Sequence, residues 1–413
     1  MKKYLVGGAV RDRLLEFPVT ERDWVVVGET PEAMTSRGYR SVGKDFPVFL
    51  HPDTYEEYAL ARTERKISPG YTGFSVHASP DVTLEQDLMR RDLTINAMAE
   101  DESANLIDPF NGQRDLDARL LRHVSPAFSE DPVRILRVAR FAARYAHLGF
   151  KVADETQDLM KKMVVCGEVD ALVAERVWIE LEKTLGERSP WVFFQTLRDC
   201  NALACLFPEI ERLFGVPQPA RYHPEIDTGI HTLMVLEQAA KLSTKPVVRF
   251  AALTHDLGKG LTPPENWPSH RGHEKIGLEA LQGLCDRLKA PNAYRKLAEK
   301  VMRFHTHCHR AMELKPATLV DTLYQLDALR QPEILEDFLL ACKADMQGRT
   351  GFEDRVYPQE KYFQDAQKAI IAITVDNIQT PDLKGKEIGQ ELRNLRIDSV
   401  RKLRRNHQCK KLS

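Results

Sequence analysis

The strongest constraint on the fold of this chain lies at its N-terminus, where two short apolar stretches enclose a pair of glycines. Residues 4–6 and 24–27 have the β-branched and aromatic bias of strands, and residues 10–15 between them have the length of a short helix. Gly7 and Gly8 fall at the turn after the first strand, where the absence of Cβ lets the backbone approach a ligand. The N–H groups that begin the helix would face the same point. This order of strand, turn, helix and strand predicts an α/β element that binds phosphate.

Three charged side chains surround this predicted element: Arg11, Glu21 and Asp23. Arg11 falls in the first helical turn, where the helix dipole disfavours a cation unless an anion binds nearby, so we expect it to contact a triphosphate. Glu21 and Asp23 are two residues apart at the entrance to the second strand, so both carboxylates project from one face. Their repulsion favours Mg²⁺, which would activate a hydroxyl and hold the triphosphate. The glycines alone favour an ordinary turn with solvated charges, but all these residues together favour the metal site.

The motif Gly-Gly-x-Val-Arg-Asp followed by an acid-x-acid strand resembles the head of the class II nucleotidyltransferases. That family contains the CCA-adding tRNA nucleotidyltransferases and the bacterial poly(A) polymerases. Its pattern is Asp-x-Asp, whereas this chain has Glu21-Arg22-Asp23, so the first metal ligand has a side chain longer by one methylene. Because the octahedral geometry of Mg²⁺ is strict, this departure predicts reduced activity or an altered metal preference.

The segment Arg90-Arg91-Asp92-x-x-x-Asn96 resembles the second motif of the same family. The resemblance implies that Arg91 reaches the nucleotide and that the acid and the amide brace the site. Residues 84–97 have helical apolar spacing, and on an uninterrupted helix Arg91 and Asn96 would face different sides. A buried structural Arg–Asp pair is an equally weighted alternative.

A second strong block begins at Glu130-Asp131-Pro132, a favourable helix start with acids and a proline in the first turn. Its arginines recur at intervals of three and four, which places them in one stripe: Arg134, Arg137, Arg140 and Arg144. A stripe of this kind is usually a solvated face.

The same block resembles the Glu-Asp-x-x-Arg motif of the family, in which the protein itself acts as the template. The resemblance implies that Asp131 accepts and Arg134 donates hydrogen bonds to the Watson–Crick edges of cytosine and adenine, leaving guanine and uracil mismatched. It also implies that Arg137 and Arg140 contact the triphosphate or the base. The segment Glu175-Arg176-Val177-Trp178 is interpreted as helical neck without assigned chemistry.

Histidines become frequent beyond residue 217, and several of them precede or follow acids in a pattern that resembles the HD domain. The signature is His255-Asp256-Leu257-Gly258-Lys259, with His231 before it and Asp345 after it. The HD domain is a helical, metal-dependent phosphohydrolase fold, so the resemblance implies that these residues hold a divalent transition metal, with Ni²⁺ as one candidate. Such an ion would activate water for attack on a phosphoester, and Lys259 would steady the phosphate.

Other histidines are less diagnostic. His270, His273, His307 and His309 are at least as well explained as core or surface residues of a helical body. His305 belongs to the same constellation, but the two-residue spacing from His305 to His309 directs successive side chains apart on a helix.

Length and composition limit the number of domains and the kinds of partner that the chain can have. With 413 residues and 43% hydrophobic content the chain can form two or three globular domains. Its net charge of −1 gives no overall attraction for nucleic acid, so RNA binding would depend on local basic patches. The scattered cysteines argue against a zinc ribbon or a disulfide framework, and the absence of a signal peptide or a membrane-length apolar run favours the cytoplasm.

The expected fold class is α+β: a small α/β nucleotidyltransferase head followed by an all-helical neck, body and HD domain. The expected segments are 1–125 for the head, 126–216 for the neck, 217–350 for the HD domain and 351–413 for a helical tail.

The expected function is addition of C, C and A to the 3′ end of tRNA from CTP and ATP. The HD site would hydrolyse 2′,3′-cyclic phosphodiesters or 2′-nucleotides. The alternatives are a poly(A) polymerase, and an RNA-binding phosphohydrolase whose head is impaired by Glu21. We expect a monomer without membrane attachment, with a homodimer as the alternative.

Overall fold

The structure is a computed structural model that describes residues 1–42, 48–66, 74–380 and 383–409. The chain divides into two compact units, Met1–Leu206 and Phe207–Ser413. Within the described ranges, no helix combines the length and the apolarity needed to cross a bilayer. The six cysteines that can be assessed are free thiols. The division into four segments made from the sequence stays a prediction.

A mixed sheet forms the first part of unit 1. Its strands, with two short additional pairs, are β1 (Lys2–Val6), β2 (Asp23–Val27), β3 (Arg40–Ser41), β4 (Val48–Leu50), β5 (Glu57–Leu60), β6 (Arg62–Lys66), β7 (Phe74–Ala78), β8 (Ala99–Glu100), β9 (Leu106–Ile107), β10 (Leu120–Leu121) and β11 (Lys151–Val152). Seven of the described strands pair in the order β3-β4-β5-β2-β1-β8-β9. Only β2 and β5 run parallel among these seven, and β6–β7 and β10–β11 pair separately.

The sheet buries apolar side chains on both faces, because successive residues of a strand point to opposite sides. Val25 of β2 packs in one core with Val6 and Leu88, whereas Val26 packs in another with Met34 and Phe49. The buried centre of β2 holds this strand in the sheet. The paired acids lie at its start: Asp23 is the first residue of β2, and Glu21 precedes it. Both N-terminal strands predicted from the sequence are confirmed.

The helices of unit 1 are α1 (Gly8–Leu14), α2 (Pro31–Ser36), α3 (Leu84–Met89), α4 (Gly112–Asp117), α5 (Val133–Tyr145), α6 (Asp154–Val165), α7 (Ala174–Gly186), α8 (Trp191–Asp199) and α9 (Ala202–Leu206). Helix α5 packs against α7 and α8. It is buried nearly all round, including Arg134 and Arg140 of its basic stripe. The alternative of a solvated face therefore does not describe Arg134 and Arg140, whereas Arg137 and Arg144 are half-buried.

The helical spacing of residues 84–97 does not produce one helix. A capping box formed by Thr83 and Gln86 begins α3, which ends at Met89. The chain then forms a short 3-10 turn, Thr94–Asn96. Because the helix is interrupted, Asp92 and Asn96 can face the same side and hydrogen-bond each other.

Unit 2 is helical throughout the ranges that are described. Its helices are α10 (Pro208–Glu211), α11 (Thr228–Leu242), α12 (Pro246–Thr254), α13 (His273–Leu288), α14 (Asn292–His309), α15 (Pro316–Gln325), α16 (Pro332–Gln347), α17 (Pro358–Ile371) and α18 (Lys386–Cys409). Helices α11, α12, α14 and α16 pack on one another, and α13 packs on α14. The predicted fold class, an α/β head followed by helices, is confirmed.

Gly7 supplies a test of how the N-terminal turn is built. Its φ of 68° is unfavourable for a residue with a side chain, and a Cβ there would lie 2.8 Å from Nη1 of Arg91. We expect Gly7→Ala to lower the free energy of unfolding of unit 1 by about 1–3 kcal/mol. Urea denaturation followed by circular dichroism measures this.

Gly186→Ala is the matched control, because Gly186 has no heavy atom within 4 Å of the added Cβ and no positive φ. It should leave the unfolding transition nearly unchanged. Equal transitions for Gly7→Ala and the wild type would contradict the assigned backbone constraint.

Candidate active sites in the two units

Unit 1 contains a cavity of about 840 Å³ whose lining is dominated by charged side chains. All nine residues that the sequence predicted for the nucleotide and Mg²⁺ site line it: Gly8, Arg11, Glu21, Asp23, Arg91, Asp131, Arg134, Arg137 and Arg140. They come from helix α1, the start of β2, the segment after α3, and helix α5 with the residues just before it. The structure thus gathers them in one place, while their individual roles stay predictions.

Both residues of the acid pair line this cavity and are exposed. Asp23 is the first residue of β2, and Glu21 precedes the strand. The surrounding protein raises the pKa of Asp23 by burial; Arg91 opposes the rise, and the nearby carboxylate of Glu21 adds to it. Two acids whose mutual repulsion shifts a pKa upward suit a divalent cation with oxygen ligands. The residues present therefore fit Mg²⁺.

A buried network braces the floor of the cavity. Asp92 accepts hydrogen bonds from Nε of Arg137 at 2.7 Å, from Nδ2 of Asn96 at 3.0 Å and from the backbone N–H of Leu93 at 2.8 Å. Asn96 in turn accepts a hydrogen bond from the guanidinium of Arg11. Burial opposes the charge of Asp92, but Arg137 and these hydrogen bonds hold its pKa well below the ordinary value of 3.8. The carboxylate therefore stays ionised and connects three separate segments of the chain.

The base-pairing candidates are held by protein partners. Asp131 lies in extended backbone just before α5 and accepts a hydrogen bond from the N–H of Val133 at 3.1 Å. Arg176 of α7 binds the same carboxylate through both terminal nitrogens, at 3.1 and 2.9 Å. Arg134 donates to the carbonyl oxygen of Ala127 at 2.8 Å. These contacts fix the directions in which Asp131 and Arg134 present their remaining hydrogen-bonding capacity.

The arginine stripe of α5 forms part of the cavity wall. Nε of Arg140 lies 2.7 Å from Glu180, and its guanidinium lies over the ring of Phe141, 4.7 Å from the centroid. Arg11 contacts the same ring at 5.2 Å. Asp12 pairs with Arg11 as Glu180 pairs with Arg140, so the aromatic face adds orientation to guanidinium groups that already have carboxylate partners.

Sequence reasoning missed several lining residues on α7 and just after it. Arg176, Lys183, Gly186 and Glu187 all line the cavity. Arg176 stood in a segment interpreted as neck without chemistry. The available signal was weak, because an arginine near the start of an amphipathic helix is ordinarily a surface residue.

Unit 2 brings the predicted histidines and acids together at a second site. His231 of α11, His255 at the end of α12 and Asp345 of α16 form one buried group that could hold a metal ion. Nε2 of His231 lies 3.2 Å from Oδ1 of Asp345, and Nε2 of His255 lies 3.7 Å from the same oxygen. Burial disfavours the charge of Asp345, but His309, His255 and Arg349 hold its pKa well below the usual value.

Asp256, the fourth predicted ligand, falls in a second buried group with His273 and His305. Burial lowers the pKa of His305 to about 3, which keeps its ring neutral and able to act as a metal ligand. Nε2 of His255 lies 3.0 Å from Oδ2 of Asp256. Burial opposes the charge of His255, but Asp256 and Asp345 raise its pKa. Carboxylates and ring nitrogens that favour a positive charge between them fit a bound cation.

The less diagnostic histidines all have polar partners. His270 hydrogen-bonds Thr262 and the carbonyl of Pro217, and His307 hydrogen-bonds Thr322. His270, His273 and His309 line a cavity of about 180 Å³ together with Lys259, Arg349 and Asp345. His273 and His309 thus lie beside the candidate metal site, and their interpretation as core or surface residues stays a prediction.

Three known protein families match successive parts of the chain. The "Poly A polymerase head domain" matches residues 3–122, the "probable RNA and SrmB-binding site of polymerase A" matches residues 149–214, and the "HD domain" matches residues 228–345. Fold and sites thus define a nucleotidyltransferase joined to an HD-type unit, two kinds of metal-dependent domain.

Two relatives that match nearly the whole chain show which family of proteins it belongs to. A multifunctional CCA protein of Methylococcus capsulatus is 67% identical over 405 residues, covering 98% of this chain and 95% of the relative. Another, from Thioalkalivibrio sulfidiphilus, is 66% identical and covers 98% and 99%. The chain belongs to the multifunctional CCA protein family.

Solved structures show the same fold at lower identity. A Thermotoga maritima CCA-adding enzyme complexed with tRNA is 21% identical, with a TM-score of 0.60 over 97% of this chain and 87% of that chain. A CCA-adding enzyme in complex with CTP is 22% identical, with a TM-score of 0.60 and coverage of 97% and 87%.

Asp92 provides a test of the bracing network. We expect Asp92→Asn to lower the free energy of unfolding of unit 1 by about 2 kcal/mol, because a charged hydrogen-bond acceptor is lost among buried donors. Denaturant unfolding at pH 7 measures the difference. Asp117→Asn is the control, since Asp117 is exposed at the end of α4.

The same pair of proteins should behave differently in acid. Because the folded-state pKa of Asp92 is depressed, its stabilising effect is present above the ordinary value of 3.8 and is lost as the pH falls through the lower folded value. The gap between wild type and Asp92→Asn should therefore shrink in acid. A gap that widens in acid would contradict the assigned charge state.

Proposed function

We propose that unit 1 adds C, C and A to the 3′ end of tRNA, taking the nucleotides from CTP and ATP and using no nucleic-acid template. The observation that carries this proposal is the single cavity that holds the acid pair, the arginines of α5 and the Asp131–Arg134 pair. The CCA-protein relatives and the neighbours solved with tRNA and with CTP support the same substrates.

Within this cavity the protein divides its tasks among different elements. Glu21 and Asp23 would hold Mg²⁺, which when bound supplies activation of the attacking hydroxyl and charge neutralisation of the triphosphate. Arg11, Arg91 and Arg140 contribute fixed positive charge near the phosphates. Each is held in advance by a protein partner: Arg11 by Asn96, Arg91 by Asp87 and Arg140 by Glu180. Little reorganisation is therefore needed when the nucleotide binds.

Choice of base would rest on Asp131 and Arg134. A carboxylate accepts from the exocyclic amino group of cytosine or adenine, and a guanidinium donates to the adjacent ring nitrogen. Guanine and uracil present the reverse pattern and would leave polar groups unpaired, which is costly in a site that excludes water. The bidentate contact from Arg176 would keep the carboxylate plane in register with the base.

We further propose that unit 2 hydrolyses phosphoesters, with 2′,3′-cyclic phosphates or 2′-nucleotides as the substrate class. The buried histidines and acids would hold a divalent transition metal, Ni²⁺ among the candidates. Lys259 and Arg349 line the adjacent cavity and supply positive charge for a phosphate. The cytoplasm as location and a monomeric state, with a homodimer as the alternative, belong to the same proposal.

Incubation with a tRNA that lacks its terminal CCA tests the activity of unit 1. With labelled CTP alone we expect two nucleotides to be added, and with both substrates a further single A, because the templating pair accepts only these two bases. Gel electrophoresis of the labelled tRNA reads the products. Incorporation from ATP alone into a long tail would favour the poly(A) polymerase alternative.

Glu21→Asp is the comparison variant for the same assay. We expect the wild type to be active, because Glu21 lines the cavity together with Asp23. An inactive wild type restored by Glu21→Asp would instead favour an RNA-binding phosphohydrolase with an impaired head.

Arg176 offers a test of base selection. A lysine keeps the charge but cannot bind the carboxylate of Asp131 through two parallel hydrogen bonds. We expect Arg176→Lys to reduce the preference for CTP and ATP over UTP and GTP by about 5- to 50-fold, as judged by kcat/KM for each nucleotide. Arg188→Lys is the control, since Arg188 is exposed just beyond α7 and does not line the cavity. Unchanged selectivity in Arg176→Lys would remove Arg176 from base selection.

A further inference from the structure

We propose that the rim of the cavity of about 180 Å³ in unit 2 is a subsite for a nucleoside base, which stacks on the ring of Tyr222. The ligand is a nucleoside 2′-phosphate or its 2′,3′-cyclic form, with the phosphate inside the cavity. This inference rests on the proposed phosphoester hydrolysis in unit 2 and deepens it, because it assigns a binding surface to the part of the substrate that does not react.

The residues that line this cavity differ widely in exposure. Asp256, Asp345 and Lys259 are buried, at 2%, 4% and 8% exposure. Tyr222 and Pro268 line the same cavity but are exposed, Tyr222 by 54%. The candidate metal ligands and Lys259 therefore form the floor of the cavity, and Tyr222 and Pro268 form its rim.

The volume of the cavity is too small for a whole nucleotide. Pockets that enclose an organic ligand of drug size usually measure about 300–1,000 Å³, whereas this cavity measures about 180 Å³. A phosphate held by Lys259 and Arg349, with the ribose next to it, would leave the base outside the enclosed space. The base would then lie against the rim, which includes Tyr222.

The side chains of the rim suit an aromatic ligand. Tyr222 offers a π face, and Pro219 and Pro268 add apolar rings whose backbone has no N–H donor. The guanidinium of Arg221 lies over the Tyr222 ring, 5.5 Å from its centroid, and orients it. Because more than half of Tyr222 is exposed, the residue keeps accessible surface for a second partner. Every base has a π face, so we expect this surface to accept purines and pyrimidines alike.

The segment that carries Tyr222 is attached to the metal site on both sides of this residue. Before it, the side-chain oxygen of Gln218 accepts a hydrogen bond from Nζ of Lys259. After it, a carboxylate oxygen of Glu225 lies 3.0 Å from Nδ1 of His231. These contacts hold Tyr222 beside the cavity before a ligand arrives, so stacking requires little ordering of the protein.

Replacement of Tyr222 in the full chain tests the subsite with two phosphomonoesters, adenosine 2′-phosphate and the base-free glycerol 2-phosphate. A chelator first removes metal so that neither ligand is consumed, and calorimetry gives each dissociation constant. We expect Tyr222→Ala to weaken binding of adenosine 2′-phosphate about 5- to 100-fold and to leave glycerol 2-phosphate unchanged, because only the nucleotide has a base to stack. Tyr222→Phe keeps the ring and should bind both ligands as the wild type does.

Tyr324→Ala is the matched control. Tyr324 is another exposed tyrosine of unit 2, with the guanidinium of Arg396 lying 5.7 Å from its ring centroid, but it belongs to α15 and not to the described lining of the cavity. Its replacement should leave both dissociation constants unchanged. Tyr222→Leu, which also lacks a ring, serves as a second variant in case Tyr222→Ala does not fold, as judged by circular dichroism. Unchanged binding of adenosine 2′-phosphate without the ring, or equal weakening of both ligands, would overturn the subsite.

Hydrolysis of the same two ligands by the Ni²⁺-loaded chain separates this inference from the proposed function. A stacked base is bound equally in the ground state and the transition state, so Tyr222→Ala should raise KM for adenosine 2′-phosphate with little change in kcat. Binding that depends on Tyr222 in a chain that hydrolyses neither ligand would support the subsite and overturn the proposed hydrolysis. Hydrolysis with a KM that does not depend on Tyr222 would support the function and overturn the subsite.

Discussion

The buried carboxylate of Asp92 is the interaction on which the nucleotide cavity depends. It hydrogen-bonds Arg137 of α5 and Asn96 of the turn after α3, and through Asn96 it reaches Arg11 of α1. A buried negative charge is costly unless donors surround it, so these segments are held together by the cost of leaving Asp92 unpaired.

The cavity of unit 1 is therefore a site where positive charge is arranged before the substrate arrives. Aromatic contacts from Phe141 orient Arg11 and Arg140, and the carboxylate of Glu180 fixes Arg140 from the other side. At the start of β2, burial raises the pKa of Asp23; Arg91 opposes the rise, and the neighbouring Glu21 adds to it. Triphosphate and Mg²⁺ together would meet both needs, the arginines through the phosphates and the acids through the cation.

The polar groups of the site in unit 2 differ from those of the cavity in unit 1. There, backbone carbonyls orient His255, His273 and His305 so that each Nε2 faces a carboxylate. Under the proposed functions, unit 1 would supply cations for an anionic substrate, whereas unit 2 would supply acceptors for cations. This contrast in charge accompanies a contrast in residue type, arginine in the first site and histidine in the second.

The local elements and the residue types of both sites follow from short-range patterns in the amino-acid sequence. The strand, turn and helix around Gly7, the paired acids before β2 and the His255-Asp256 doublet at a helix end could be predicted, because each depends on neighbours within a few residues. The resemblance to known motifs then supplied most of the nucleotide-site residues. Only the tertiary structure decided that α3 ends at Met89, which lets Asp92 and Asn96 face one another.

The tertiary structure also decided which distant groups meet. Arg176 reaches Asp131 across 45 positions of sequence, and His305 reaches Asp256 across 49, and no local pattern marks either pairing. Periodicity describes which face of a helix a side chain occupies, but it carries no information about which other helix that face will meet. Those meetings are set by the packing of whole helices, and in this chain they complete both sites.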